Sequence, residues 1–157
     1  MHESVMEWVG AQVEKHGLAS LRTLEIGSRD VNGSARSLFS GEYVGLDAQT
    51  GKGVDVLATS WDIPFDPGSF DVVVSTSMLE HDRLFWRTLP EVGRVLRSGG
   101  HFILTTVSWG FFEHDKPDYY RFLPDSWEPL MELADCEMID SRDDPQSGGP
   151  QLTGRRR

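Results

Sequence analysis

Residues 23–47 read TLEIGSRDVNGSARSLFSGEYVGLD, and the fold turns on this stretch. Thr23 to Ile26 is a short strand that points Leu24 and Ile26 to one side. A polar loop, Gly27-Ser28-Arg29-Asp30-Val31-Asn32-Gly33, follows at once. Ser34 to Phe39 reads as a short helix, with Ser34 placed to cap its N-terminus. A second apolar strand, Glu42 to Leu46, ends on Asp47. In an open α/β sheet, ligands bind beyond the carboxyl ends of the strands, where the strand order reverses. A glycine after the first strand lets backbone approach a ligand closely. An acid about 20 residues on accepts hydrogen bonds from ribose hydroxyls. Gly27 and Asp47 have that spacing, which is the outline of a nucleoside site.

The loop departs from the dinucleotide pattern G-x-G-x-x-G. Arg29 stands where the second glycine belongs, and the next glycine is Gly33. A pyrophosphate needs bare backbone near a helix start, and here it would meet bulk. Glu25, inside the strand, suits a ligand with a cationic end. An NAD-linked oxidoreductase would share only Gly27 and Asp47 with this chain.

Working outward, Val5, Met6, Val9 and Val13 recur at helical spacing, which predicts a helix over residues 1–17 that packs on the sheet and stops at Gly17. Downstream, Val54 to Ala58 is a third strand, Thr59 to Phe65 a loop, and Asp66-Pro67-Gly68-Ser69 a turn. Phe70 to Ser75 is nearly continuously apolar, as a central parallel strand covered on both faces requires. Helical spacing returns at Phe85, Leu89, Val92, Val95 and Leu96. Pro90 is set to kink or restart that helix, and Ser98-Gly99-Gly100 reads as its end. Phe102 to Val107 is a fifth strand. Residues 108–123 are aromatic and polar without a period, a long loop of the kind that often carries function. Asp125 to Ala134 is a helix, with Asp125 and Glu128 at capping-box spacing, and Cys136 to Ser141 is a sixth strand. After a turn over Gln146 to Pro150, only Gln151-Leu152-Thr153 precedes Arg155-Arg156-Arg157. The last strand is therefore predicted short or missing, leaving an uncovered edge, and the arginines read as a solvated tail. The alternation of strand and helix predicts a doubly wound, mostly parallel α/β sheet with helices on both faces.

Length and composition bound the rest. A chain of 157 residues makes one domain with a sizeable core. With 25 acids against 15 bases the net charge is −10, which argues against non-specific binding to a nucleic-acid backbone. The single cysteine, Cys136, forms no intrachain disulfide and fits a reducing, cytoplasmic setting. MHESVMEWV lacks the pattern of a signal peptide, and no apolar run approaches about 18 residues, so no membrane partner is expected.

Four stretches, in order and at ordinary spacing, resemble the class I S-adenosylmethionine-dependent methyltransferases, the small-molecule type in particular: LEIGSRDVNGS, YVGLD, WDIPFDPGSFDVVVSTSMLEH and EVGRVLRSGGHFILT. The resemblance runs over residues 20–142 and implies a Rossmann-like methyltransferase fold with S-adenosylmethionine as cofactor. It implies that Glu25 and Gly27 line the methionine end, with Ser28 and Asp30 in the same loop. Asp47 would hold both ribose hydroxyls through charge-assisted bonds, and Ala48 would pack beside the adenine. Thr59 and Ser60 would read the adenine edge, although many relatives carry Asp where Thr59 stands. Ser75 to Met78 would face the sulfonium.

Methyl transfer is an in-line displacement that extinguishes the positive charge on sulfur. It asks for orientation and a water-poor site more than for charge stabilisation. A hydroxyl or amine acceptor also has a proton to lose, and histidine titrates near neutrality. The candidate bases are His81, beside Glu80 at the carboxyl edge of the sheet, and His114, in the aromatic loop. The structural alternatives are a cap, with Glu80 and His81 bonded to backbone, and a solvated loop histidine. Tyr119, Tyr120 and Arg121 resemble a Tyr-aromatic-Arg-Phe segment that shapes the substrate pocket in relatives. Stacked aromatics anchoring the loop would explain them equally. The acceptor implied is a small molecule or a glycan-type hydroxyl. No metal is expected, since helical His-x-x-x-His spacing is absent and acids such as Asp82 and Asp118 read as solvated loop residues. No Gly-x-Ser-x-Gly elbow is present, and Cys136 reads as core. A non-catalytic binding module of the same fold is the alternative. It rests on the short last strand, on Thr59 and on the lack of an unambiguous base.

Overall fold

The computed structural model describes residues 2–31, 33–110 and 117–157. Helix α1 (Glu3–His16) buries Val5, Val9 and Val13 and closes on Gly17, whose left-handed φ of 65° a side chain would disfavour. Seven strands follow: β1 (Thr23–Ile26), β2 (Tyr43–Asp47), β3 (Val56–Leu57), β4 (Phe70–Thr76), β5 (Leu96–Thr105), β6 (Cys136–Asp144) and β7 (Gly149–Arg156). They make one sheet in the order β3-β2-β1-β4-β5-β7-β6. β1 to β5 run parallel, and β7 lies antiparallel to both of its neighbours. Helices α2 (Phe85–Val95) and α3 (Trp127–Leu133) complete the fold.

Alternation along β4 sends side chains into two cores. Val73 joins Leu89, Val92, Leu130 and Met131 beneath α2 and α3. Val72 and Val74 join Trp8, Val9 and Val13 beneath α1. The sheet is therefore covered on both faces, as the doubly wound reading requires. Cys136 is fully buried in the α2–α3 core, and burial pushes its thiol up to about 12. No helix of the described residues is long and apolar enough to cross a membrane.

Two differences from the sequence reading bear on the sheet most. Ser98-Gly99-Gly100 does not end the helix but lies inside β5, which starts at Leu96. The register against β4 slips between Phe70 and Val72, and Gly99 takes up the irregularity at φ 76°. The larger correction concerns β7. It is neither short nor missing: eight residues insert between β5 and β6. Leu152, Gln151 and Thr153 are all fully buried. Polarity hid the strand, because its buried Gln151 is satisfied from the neighbouring strand. Arg142 donates to Gln151 Oε1, and Gln151 Nε2 donates to Asp144. The terminal arginines are not a loose tail either: Arg155 and Arg156 lie in β7, although Arg155 and Arg157 stay exposed. Arg156 pairs with Asp135 and donates from Nε to the Gly93 carbonyl at 2.8 Å.

If β7 is core, Leu152→Ala should destabilise the protein by about 2–5 kcal/mol in urea unfolding. A loss below about 0.5 kcal/mol, as for a surface position, would contradict this placement.

Candidate functional site

A cavity of about 530 Å³ opens beyond the carboxyl ends of β1, β2 and β4. Its base is closed by Gly27, where the loops after β1 and β4 meet. A Cβ at Gly27 would sit 2.5 Å from Met78 Cγ, and its φ of 79° is one that glycine adopts freely. The N–H groups of Gly27 and Ser28 both donate to the Leu46 carbonyl, which extends the β1–β2 pairing into the loop.

The rest of the loop is held by side chains in place of glycines. Asp30 pairs with Lys52 at 2.7 Å and accepts from Gly33 N–H at 2.9 Å. The Lys52 amine and that N–H hold its carboxyl below the usual range. The Asp30 N–H donates to the Lys52 carbonyl, and Arg29 bonds to Gln49. These latches tie Arg29 and Asp30 to Gln49 and Lys52, and Gly33 to Asp30.

Asp47 ends β2 in the cavity wall. Its Oδ2 accepts from Arg29 N–H at 3.2 Å and its Oδ1 from Gln49 N–H at 2.9 Å. Each oxygen keeps lone pairs for a ligand, and the carboxylate is oriented before one arrives. Glu25, in β1, is only 2% exposed. Burial pushes its carboxyl up to about 7, against the pull of the Ser34 hydroxyl and the Arg36 charge.

On the β4 side, Thr76, Ser77 and Met78 enter the wall. Ser77 takes a left-handed φ of 48°. Such strain in a residue with a side chain collects where the surroundings over-determine the backbone, here through Ser77 N–H donating to the Thr105 carbonyl at 2.9 Å. A 3-10 turn, Leu79–His81, then presents Glu80 and His81. Glu80 is 4% exposed and accepts from the Thr106 hydroxyl at 2.8 Å. His81 Nδ1 lies 2.5 Å from the Pro117 carbonyl. A carbonyl only accepts, so Nδ1 carries the proton and neutral His81 keeps its lone pair on Nε2. That nitrogen is 3.8 Å from Glu80 Oε1.

The structure brings Glu25, Gly27, Ser28, Asp47, Ala48, Ser60, His81 and Tyr119 into one cavity wall. Asp30, Thr59, Ser75, Tyr120 and Arg121 are not among its lining residues. Asp30 is the loop latch. Thr59 adjoins the wall residue Ser60, and its carbonyl accepts from Asp62 N–H. Ser75 is buried within β4. Tyr120 stacks edge-on against Phe85 at 5.0 Å and donates its hydroxyl to the Arg83 carbonyl. Arg121 makes a two-pronged pair with Asp118. His114 lies outside the described residues.

The wall also holds Trp61, Asp82 and Arg83, which the sequence reading left out of the site. Asp82 is not solvated: it is 4% exposed and accepts from Leu84 N–H and from the hydroxyls of Ser60 and Thr88. Nothing in LEHDR distinguishes a buried acid from an exposed one. Among the described residues no three His, Cys, Asp or Glu side chains converge as metal ligands.

Comparison with known proteins follows the same line. The sequence model of a family described as a methyltransferase domain matches residues 28–104. A sarcosine/dimethylglycine N-methyltransferase of Halorhodospira halochloris is 50% identical over 44 residues, 28% of this chain. That match spans 16% of the relative's own length. The structure of 1,6-didemethyltoxoflavin-N1-methyltransferase from Burkholderia thailandensis, with bound 1,6-didemethyltoxoflavin and S-adenosylhomocysteine, aligns with TM-score 0.78 at 18% identity, covering 98% of this chain and 79% of that one. An S-adenosylmethionine-dependent methyltransferase from Mesorhizobium loti aligns with TM-score 0.72 at 13% identity, covering 96% and 98%. At these identities the two structures share the fold of this chain.

The Glu25 carboxyl gives this site a pH signature. Its folded value of about 7 stands above the ordinary 4.5. The folded state therefore binds the proton more tightly, and the associated stability is full below pH 4.5 and lost as pH rises through 7. Glu25→Gln should flatten the fall in unfolding free energy between pH 5 and pH 8 by on the order of 3 kcal/mol. An unchanged pH dependence in urea unfolding would contradict the burial of an ionisable carboxyl here.

Proposed function

We propose that this chain is a class I S-adenosylmethionine-dependent methyltransferase, which moves the methyl group of that cofactor to a hydroxyl or amine of a small-molecule or glycan-type acceptor. One observation carries the reading. A single cavity wall holds Glu25, Gly27, Asp47, Ala48 and Ser60 on its β1–β2 side, and Glu80, His81 and Tyr119 on its β4 side.

The residues present fit the cofactor. Asp47 offers the ribose diol a carboxylate already fixed by two backbone N–H groups. Glu25 is a buried carboxylate suited to an ammonium, and Gly27 lets the methionine end approach backbone. Ala48 and Ser60 flank the place of the adenine, with Thr59 beside them. When bound, the cofactor supplies an electrophilic methyl on a sulfonium, which a nucleophile attacks in line. Orientation does most of the work in such a step.

His81 Nε2 takes the acceptor's proton, since Nδ1 is engaged with Pro117. Glu80 Oε1, 3.8 Å away, then faces a charged imidazolium and stabilises it. His114 is the second candidate base. Tyr119, in the wall, packs against the acceptor, while Tyr120 and Arg121 hold the segment that carries it. The 50% identical stretch in an N-methyltransferase supports amines among the acceptors. The binding-only alternative loses a main support, because β7 is present and buried.

The test is a screen of hydroxyl and amine acceptors for S-adenosylhomocysteine formation, with His81→Gln beside the native protein. His81→Gln should lower kcat by about 10²–10⁴-fold and leave S-adenosylhomocysteine affinity unchanged. Equal kcat in the two proteins would remove His81 from the chemistry.

A further inference from the structure

Ser60 is the wall residue at the start of the loop that runs to Phe65, and this loop is bolted to one face of α2. Thr88, Glu91 and Arg94 stand three residues apart on that helix and all face the loop. Glu91 accepts from Ile63 N–H at 3.0 Å. Arg94 donates to the Ile63 carbonyl at 2.8 Å and to the Phe65 carbonyl at 2.6 Å. Thr88 belongs to a tighter knot. Its hydroxyl is 2.5 Å from Asp82 Oδ2 and 2.9 Å from Ser60 Oγ, and Ser60 Oγ is 3.1 Å from the same Asp82 oxygen. Thr88 is fully buried and does not line the cavity.

We propose that Thr88 is a positioning residue for the cofactor: through the buried Asp82 carboxylate it fixes Ser60, and with it the adenine side of the cleft. The inference rests on the methyltransferase reading above. Two hydroxyls have one proton each, and both give the stronger bond to the carboxylate, because a charged acceptor outweighs a neutral one. Asp82 Oδ1 takes Leu84 N–H at 2.8 Å. The carboxylate thus has a partner on each oxygen, and its buried charge is sustained by three donors. Removing the Thr88 hydroxyl takes one of the three away. Asp82 Oδ2 then draws on Ser60 alone, and the Ser60 end of the loop loses its tie to α2, while Glu91 and Arg94 still hold Ile63 and Phe65. Asp82 also sits between His81 and Arg83, so the knot joins the adenine side of the wall to the segment that carries the proposed base.

The test compares Thr88→Val, which keeps the shape and loses the hydroxyl, with Thr88→Ser, which keeps the hydroxyl. Calorimetric titration with S-adenosylhomocysteine should give about tenfold weaker binding for Thr88→Val, roughly 1.4 kcal/mol. Thr88→Ser should stay within about twofold of the native protein, and thermal unfolding run alongside reports whether each variant is folded. Ser60→Ala should weaken binding to the same extent, and the double variant Ser60→Ala with Thr88→Val should be no weaker than either single one. Native affinity in folded Thr88→Val, equal losses in the Val and Ser variants, or additive losses in the double variant would each overturn the proposal. If Thr88→Val does not fold, native affinity in Ser60→Ala overturns it alone. A native protein that fails to bind S-adenosylhomocysteine would instead sink the underlying reading.

Discussion

The reversal of strand order at β1 is the constraint on which the rest depends. From β1 the chain builds outward to β2 and β3, then crosses back to place β4 on the other side. The loops leaving β1 and β4 must turn in opposite directions, and a crevice opens between them. The proposed ligand contacts gather around it: Glu25 and Gly27 at β1, Asp47 and Ala48 at the end of β2, Ser60 after β3, His81 after β4 and Tyr119 after β5. The crevice is shaped by backbone where it is narrowest. At Gly27 there is room for hydrogen and nothing larger beside Met78.

Preorganisation by side-chain latches is the second theme. Glycine-rich loops gain close approach at the expense of conformational freedom. This chain uses few glycines there and ties the loop down through Asp30 to Lys52 and through Asp47 to two N–H groups. The loop after β3 is tied in the same manner to α2, through Glu91 and Arg94. Polar contacts thus hold both walls, from loop to loop on one side and from loop to helix on the other. The apolar cores lie on the sheet faces behind them and hold the strands.

The sheet was legible because its inner strands carry the strongest patterns. Phe70 to Ser75 is apolar on both faces, and LEIG followed by YVGLD marks two parallel strands with candidate ligand residues at their ends. The wall residues Gly27, Asp47, Ser60 and His81 followed from motif position. What the sequence hid was polar residues made to behave as core. Gln151 and Thr153 disguised β7: both are fully buried, and the partners of Gln151, Arg142 and Asp144, lie on another strand. Asp82 looked like a solvated acid until the hydroxyls of Ser60 and Thr88 were brought to it. Tyr120 and Arg121 matched a substrate-lining segment, yet their side chains serve the Phe85 stack and the Asp118 pair. In each case the deciding partner is distant in sequence or looks unremarkable alone.

The central claim is that this crevice is a nucleoside pocket whose ribose anchor is Asp47. Its most direct test is calorimetric titration of the native protein and of Asp47→Ala with S-adenosylhomocysteine. The account expects micromolar binding by the native protein, about 8 kcal/mol, and its loss in Asp47→Ala. Equal affinity in the two folded proteins, or no binding by the native one, would contradict it.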